Sequence, residues 1–305
     1  MKSTCSKLFV VACVGWMMSC SSASESSKPT DTPESGSIWI SADESFQPIV
    51  DELIQVYQSH HPQTLINVQY KPEADCFKDL FVDSIRMVIV TRKPNASEER
   101  LLTDSVGGIT RTRAVARDGI AVLAHPSQKK LTWTRKELRE LLSEKNNNSL
   151  MPVVDGLKAT STVRFLVDSV LRGEIPSKKL MAARTSQGVI EYVANNPNVI
   201  GFVGVSWIGN REDSLQRIWQ PRVQLLRLAN DKFPDYTSLP DQVNVYTRLY
   251  PFTRDITYIV TEKHVGLATG FARFMDGEIG QLIFKRAYLA PLLKDFGLRP
   301  VTAKE

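Results

Sequence analysis

Residues 38–57 read IWISADESFQPIVDELIQVY, and the fold turns on them. Ile38 to Ile40 is a short β-like run. Behind it Phe46, Ile49, Val50, Leu53, Ile54 and Tyr57 recur at helical spacing, with Asp43 or Ser45 available as the N-cap. Outward from this stretch, Leu65 to Tyr70 alternates as a strand and a helix is predicted from about Ala74 to Val82. Met87 to Thr91 is the β-branched run of a strand buried on both faces. Strand, helix, strand, helix, strand is the order of a parallel α/β sheet.

The pattern resumes after Asp118-Gly119 with a second buried-type strand, Ile120 to Ala124, and the turn His125-Pro126-Ser127. A helix headed by Thr134 follows, then the polar loop Lys145 to Ser149 and a strand at Val153-Val154. A further helix is predicted from about Val163 to Leu171, and Thr185-Ser186 caps another to Ala194. Val199 to Val205 is a strand with two glycines, positions where backbone passes close to something. Tyr258 to Val260 and helices near Thr269 to Met275 and Ile279 to Leu282 complete the body.

The N-terminus carries Lys2 and Lys7, an uncharged run from Leu8 to Met18, and then Ser19 and Cys20. Residues 1–19 have the layout of a signal peptide. The run is shorter than the roughly 20 apolar residues a spanning helix needs, and no later segment supplies them. Met17-Met18-Ser19-Cys20 resembles the bacterial lipobox, in which the cysteine takes a lipid on its thiol, although Met17 stands where Leu is usual. An ordinary cleaved signal with a chance cysteine is the alternative. Residues 20–36 hold no large apolar anchor and read as a flexible tether between a lipid on Cys20 and the body. The expectation is an exported protein, lipid-anchored to a bacterial membrane and facing the periplasm or the cell exterior.

Cys5 and Cys13 leave with the signal, so Cys76 is alone in the body and no internal disulfide is possible. A buried small side chain is expected there rather than a reactive thiol. The net charge of +5 falls to +3 without Lys2 and Lys7. Basic residues are scattered without stacking aromatics between them, which argues against a nucleic-acid partner. His60, His61, His125 and His264 show no metal-ligand spacing, and no nucleophile elbow or P-loop is present. No enzyme, metal or cofactor is expected, and a monomer is.

The order of motifs along the chain resembles the phosphate-type periplasmic solute-binding proteins of ATP-driven (ABC) importers, members of the type II periplasmic-binding-protein superfamily. The matching stretches are the strand, turn and helix of Ile38 to Pro48, then Phe77 to Arg92 ending in Thr91-Arg92, and Asp118-Gly119-Ile120-Ala121-Val122. Thr160-Ser161-Thr162 with Phe165 resembles the family's Ser-Gly-Thr anion turn. Ile200-Gly201-Phe202-Val203, Tyr250-Pro251-Phe252-Thr253-Arg254 and Gly280-Gln281 follow in the family's order. The resemblance spans about Ile38 to Leu298. It implies an α/β fold of two lobes, each a mixed, mostly parallel sheet flanked by helices, joined by a two-strand hinge with the ligand between them. Lobe 1 would take residues 37–117 with 256–305, and lobe 2 residues 118–255. The implied function is capture of an oxyanion, phosphate first, for delivery to an ABC permease.

A metal-free oxyanion site needs backbone N–H groups at helix starts together with Ser or Thr hydroxyls. The candidate ligand-binding residues are Glu44 and Ser45 in the first turn and Thr160, Ser161 and Thr162 in the second, with Arg86 nearby. Each turn taken alone reads first as an ordinary N-cap, and it is the ordered resemblance that brings in the ligand. Several positions depart from the family. Glu44 stands where a Thr donor is usual, and Pro72-Glu73-Ala74 where a Gly-Ser-Gly turn would be. Arg86 stands where an acid begins the strand, and Asp155-Gly156 where an Arg precedes the anion turn. Either Arg86 supplies the cation and Glu44 the acceptor, or the pocket has drifted to another ligand, or the two form ordinary salt bridges. A surface lipoprotein that keeps the fold as an interaction or assembly factor is the reading from a different class. For the anchor, Cys20→Ala is expected to release the protein from the membrane fraction, which cell fractionation and labelled fatty-acid uptake check.

Overall fold

The computed structural model describes residues 30–147, 149–156 and 160–293. Cys20 and its tether lie outside the described residues. From edge to edge the central sheet runs through strands Gln63–Lys71, Ser35–Asp43, Ile85–Val90, Thr253–Glu262, Ile109–Ala124, Val199–Gly204, Met151–Asp155 and Met181–Ala183. The first three are parallel, as are the last three. Between these two parallel groups, Thr253–Glu262 and Ile109–Ala124 pair antiparallel, Arg254 opposite Asp118. Ile109–Ala124 then hands its last five residues, Ile120 to Ala124, to Val199–Gly204. One strand therefore serves both halves.

Two sets of apolar side chains make the halves into lobes. In the first, helix Gln47–His60 buries Ile49, Val50, Leu53, Ile54 and Tyr57 against Ile38, Ile40, Phe271 and Phe284. Each such burial stabilises by about 1.5 to 3 kcal/mol. In the second, alternate residues of one strand point to opposite faces: Ile200 and Phe202 join Trp133, Leu138, Tyr250 and Phe252, while Val199 and Val203 join Val189, Val193 and Trp219. Burial on both faces is why this strand reads as a continuous apolar run.

Helix ends differ in detail from the sequence reading. Asp43 does not cap the long helix. It caps a short 3₁₀ turn, Glu44–Phe46, and the helix starts uncapped at Gln47 with Pro48 in its first turn, where the missing N–H costs nothing. The helix expected from Val163 begins at Ser161, becomes a π-helix over Leu166–Leu171, and ends at Arg172 with φ +51°. Helix Ala96–Val106 was not anticipated, because its buried apolar content is slight; an Asn95/Glu98 capping box starts it. The first part of Ile109–Ala124 was missed for another reason. Its Arg111, Arg113 and Arg117 interrupt any apolar pattern, and in the structure they reach Asp276 and Asp255 along the sheet surface.

The start of the described chain is clasped to lobe 1. Asp31 accepts the Leu267 N–H at 2.6 Å and faces His264 at 3.3 Å, while the Tyr57 hydroxyl donates to the Pro33 carbonyl. Glu262 accepts the N–H groups of Gly266, Ala268 and Thr269 at the start of helix Leu267–Asp276. Cys76 is fully buried, and burial pushes its thiol up, which leaves it an inert apolar side chain. Among the described residues no helix is long and apolar enough to cross a membrane, and no group of three His, Cys, Asp or Glu is placed to hold a metal.

Gly201 lets helix Ser186–Asn195 lie directly on the sheet, since a Cβ there would stand 2.6 Å from Val193 and 2.8 Å from Val189. Gly201→Ala is expected to destabilise lobe 2 by about 1 to 3 kcal/mol, the usual range for overpacking, as read by urea unfolding.

Candidate functional site

The parallel strands of both lobes point their C-terminal ends at one another, and the loops beyond those ends meet between the lobes. Asp43 closes strand Ser35–Asp43 and holds both sides. Its Oδ1 accepts the Ser45 N–H and its Oδ2 accepts the Ser161 N–H from the other lobe, each at 2.9 Å. The Trp207 indole donates across the same gap to the Ser45 carbonyl at 2.8 Å. The Ser45 and Thr162 hydroxyls lie 3.3 Å apart. Both lie 3.2 Å from the same oxygen, Oδ2 of Asp155, which also accepts from Ser186 at 2.7 Å. Thr160 donates to Oδ1 of Asp155 at 3.0 Å while serving as the N-cap of its own helix.

The cation at this place is Arg254. Its Nε and Nη2 reach Oδ2 of Asp118 at 3.0 and 2.9 Å, and its Nη1 donates to Ser161 at 2.7 Å and Thr162 at 3.0 Å. Asp118 also accepts the Val205 N–H at 3.1 Å. The pair is almost wholly out of water, with side-chain exposures of 3% and 0%. Gly204 makes room for it, because a Cβ there would lie 2.9 Å from Arg254 and 3.0 Å from Asp118. A second ion pair bridges the lobes at the rim: Arg164 donates to Glu73 and Thr91, and Glu73 takes the Thr91 N–H and hydroxyl at 2.6 Å. Arg92 turns away to Glu98 and lies over the Phe77 ring.

These features, two lobes sharing two crossing strands with helix starts meeting between them, are those of a known superfamily. The PBP superfamily domain model matches residues 27–278. The chain belongs to the periplasmic-binding-protein (PBP) superfamily. A putative phosphate ABC transporter substrate-binding protein with bound phosphate from Clostridium perfringens superposes with a TM-score of 0.68 at 17% identity, over 84% of this chain and 100% of that one. An ABC-type phosphate transport receptor from Vibrio cholerae gives 0.62 at 16% identity, over 84% and 100%. A possible phosphate binding protein from Planctomyces limnophilus gives 0.58 at 14% identity, over 85% and 93%. At these identities the likeness is one of fold. No curated protein matches the chain. The family and the structural neighbours are substrate-binding proteins rather than enzymes.

Within this PBP fold the turn of Glu44 and Ser45 and the turn of Thr160 to Thr162 come together. Arg86 does not join them. It lies near the start of its strand, level with the Trp39 and Ile40 pairing, and lines a surface hollow with Asp83 and Lys263. Five residues of strand, at about 3.3 Å each, separate it from Thr91 at the cleft end. The expectation that Arg86 lies near the two turns is therefore corrected: the guanidinium found beside them is that of Arg254, the last residue of the Tyr-Pro-Phe-Thr-Arg stretch. What hid it was register: only the pairing of Arg254 with Asp118 turns a strand residue into a site residue. Asp43, Asp118, Glu73 and Ser186 read in sequence only as a cap, a motif residue, a departure and a cap, and Arg164 not at all, because nothing local in the sequence shows that their side chains meet between the lobes.

Electrostatics set the state of the acids. Burial pushes the Asp43 and Asp118 carboxyls up, with Arg254 pulling both back. Glu44 is pushed up to about 7, first by burial and then by Asp155 and Asp43, and its Oε1 is buried with no hydrogen-bond partner. A carboxyl raised on folding binds its proton more tightly in the folded state, so its contribution is present below the ordinary value of 4.5 and lost as pH rises through about 7. Glu44→Gln is accordingly expected to raise the melting temperature at pH 8 but not at pH 4, flattening the stability profile between.

Proposed function

We propose that the chain is an extracytoplasmic solute-binding lipoprotein, anchored through Cys20, that takes a small oxyanion between its lobes and delivers it to an ABC permease. Phosphate is the favoured oxyanion. The observation that carries this is proximity: the Ser45 and Thr162 hydroxyls lie 3.3 Å apart between the lobes, the Ser161 N–H crosses to Asp43, and the Arg254 guanidinium donates to the Ser161 and Thr162 hydroxyls. Such donors desolvate an anion without a metal. Lobe 1 of residues 37–117 with 256–305 and lobe 2 of residues 118–255 would close on the ligand about the Asp118 and Arg254 crossing, the protein acting as a monomer with no nucleic-acid partner. That the C. perfringens relative holds bound phosphate and the V. cholerae relative is a phosphate transport receptor supports the choice of ligand.

A second reading is favoured by a specific observation. Asp155, Asp43 and Glu73 already accept the donors that face the cleft. A cleft satisfied from within fits a lipoprotein that keeps the PBP fold as an interaction or assembly factor. Calorimetric titration of the purified protein with phosphate and sulfate separates the two. Saturable heat and a raised melting temperature with phosphate are expected; no heat and no thermal shift with either anion would put the interaction reading in front.

A further inference from the structure

Lobe 2 carries a second hollow, of about 700 Å³, within the size range of small-molecule sites. Its walls come from the end of the π-helix, the Asn230 to Phe233 loop and the Thr247 to Thr253 loop. Two side chains largely out of water hold these walls together. Asn230 donates to the Leu249 carbonyl at 2.7 Å and accepts the N–H groups of Lys232 and Phe233 at 2.9 and 3.0 Å. Arg135 donates to the Ser169 and Pro251 carbonyls at 3.0 Å and grips both oxygens of Asp231 at 2.9 Å. The hollow is thus preformed, and its charge is not balanced. Arg172, Lys232 and Arg248 all line it. Among the described residues Arg172 and Lys232 form no ion pair, and Arg172 gives its Nε to the Ser169 carbonyl at 3.1 Å. Arg248 reaches Asp255 only at 3.5 Å, because Arg117 already holds that acid at 2.6 Å. Of the two acids in the lining, Asp231 is matched by Arg135 and Asp168 faces Arg164 at 3.5 Å.

Backbone conformation sets the same residues apart. Arg172 at φ +51° and Arg248 at φ +59° are two of the three non-glycine residues in left-handed backbone among the described residues, and each sits just past a helix end. Glycine takes such a position at no steric cost, whereas an arginine is strained there. Strain of this kind collects at ligand sites. We infer that this hollow is a binding site, separate from the interlobe cleft, for a compact anion with several negative oxygens, a small polycarboxylate or polyphosphate. Arg172, Lys232 and Arg248 supply its cations, and Phe165, Leu249 and Pro251 the apolar part of its wall. Guanidinium groups match carboxylate and phosphate oxygens in geometry as well as in charge. The site does not depend on what the cleft binds.

The test is calorimetric titration of the purified protein with citrate and with tripolyphosphate at low ionic strength, alone and with orthophosphate in excess. Saturable binding of at least one probe is expected, weakened by added salt and left in place by orthophosphate. Arg172→Gly and Arg248→Gly each remove a cation where glycine suits the backbone better. Lys232→Ala removes the third from an exposed loop and carries the test should a glycine variant misfold. Each substitution is expected to weaken the probe about five- to thirtyfold, as loss of one charge-assisted contact at a partly open site should. The melting temperatures of the two glycine variants are expected to stay level or rise, so that lost binding is not lost folding. Binding of citrate alone would assign the site to polycarboxylates, and of tripolyphosphate alone to polyphosphates. A protein that binds either probe at this site but no orthophosphate would keep the inference and remove the phosphate reading of the cleft. Orthophosphate that displaces the probe competitively would place both anions in the cleft and overturn the inference, leaving the proposed function standing. Absence of saturable binding by either probe, or binding untouched by all three substitutions, would overturn it as well.

Discussion

The buried ion pair of Arg254 and Asp118 is the constraint on which the rest of the molecule is arranged. Each member sits on one of the two crossing strands, in direct register. Removing both charges from water is costly, and an unpartnered survivor would cost several kcal/mol, so the pair fixes that register as well as the site. Once it is set, Val205 is drawn to Asp118, and Ser161 and Thr162 to Arg254. Strand Val199–Gly204 can approach only because Gly204 has no side chain to collide with the pair.

Around that pair the polar groups of the cleft are satisfied with little recourse to solvent. Hydroxyls donate to carboxylates, and the carboxylates also take the free N–H groups of Ser45, Ser161 and Thr91. Among the described residues that line the cleft Glu44 stands apart, with one buried oxygen left unpaired among like charges. An arrangement so complete elsewhere makes this residue the point of least comfort in the cleft.

Much of the architecture was legible because it is written in periodicity. Ile49, Leu53 and Tyr57 mark a helix face, and Met87 to Val90 and Val199 to Val203 mark strands covered on both sides. The long strand beginning at Ile109 was not, since its arginines lie along the sheet surface paired with Asp276 and Asp255 and mask the pattern. At the site, Ser45 and Thr160 to Thr162 could be picked out because each sits where a helix begins. Arg86 misled for the same kind of reason that Arg254 was overlooked. Sequence position along a strand says which residues share a face, but not which end of the sheet meets the other lobe; that depends on pairing with a strand more than a hundred residues away.

The clasp of Asp31 and Pro33 onto lobe 1 gives the molecule a direction. It sits where strand Ser35–Asp43 begins, and the cleft sits where that strand ends, nine residues or about 30 Å away. Thr30 thus lies at the base of lobe 1, on the side turned from the cleft. A force applied at Thr30 would therefore be borne first by lobe 1, with the cleft at the far end of the strand that carries it.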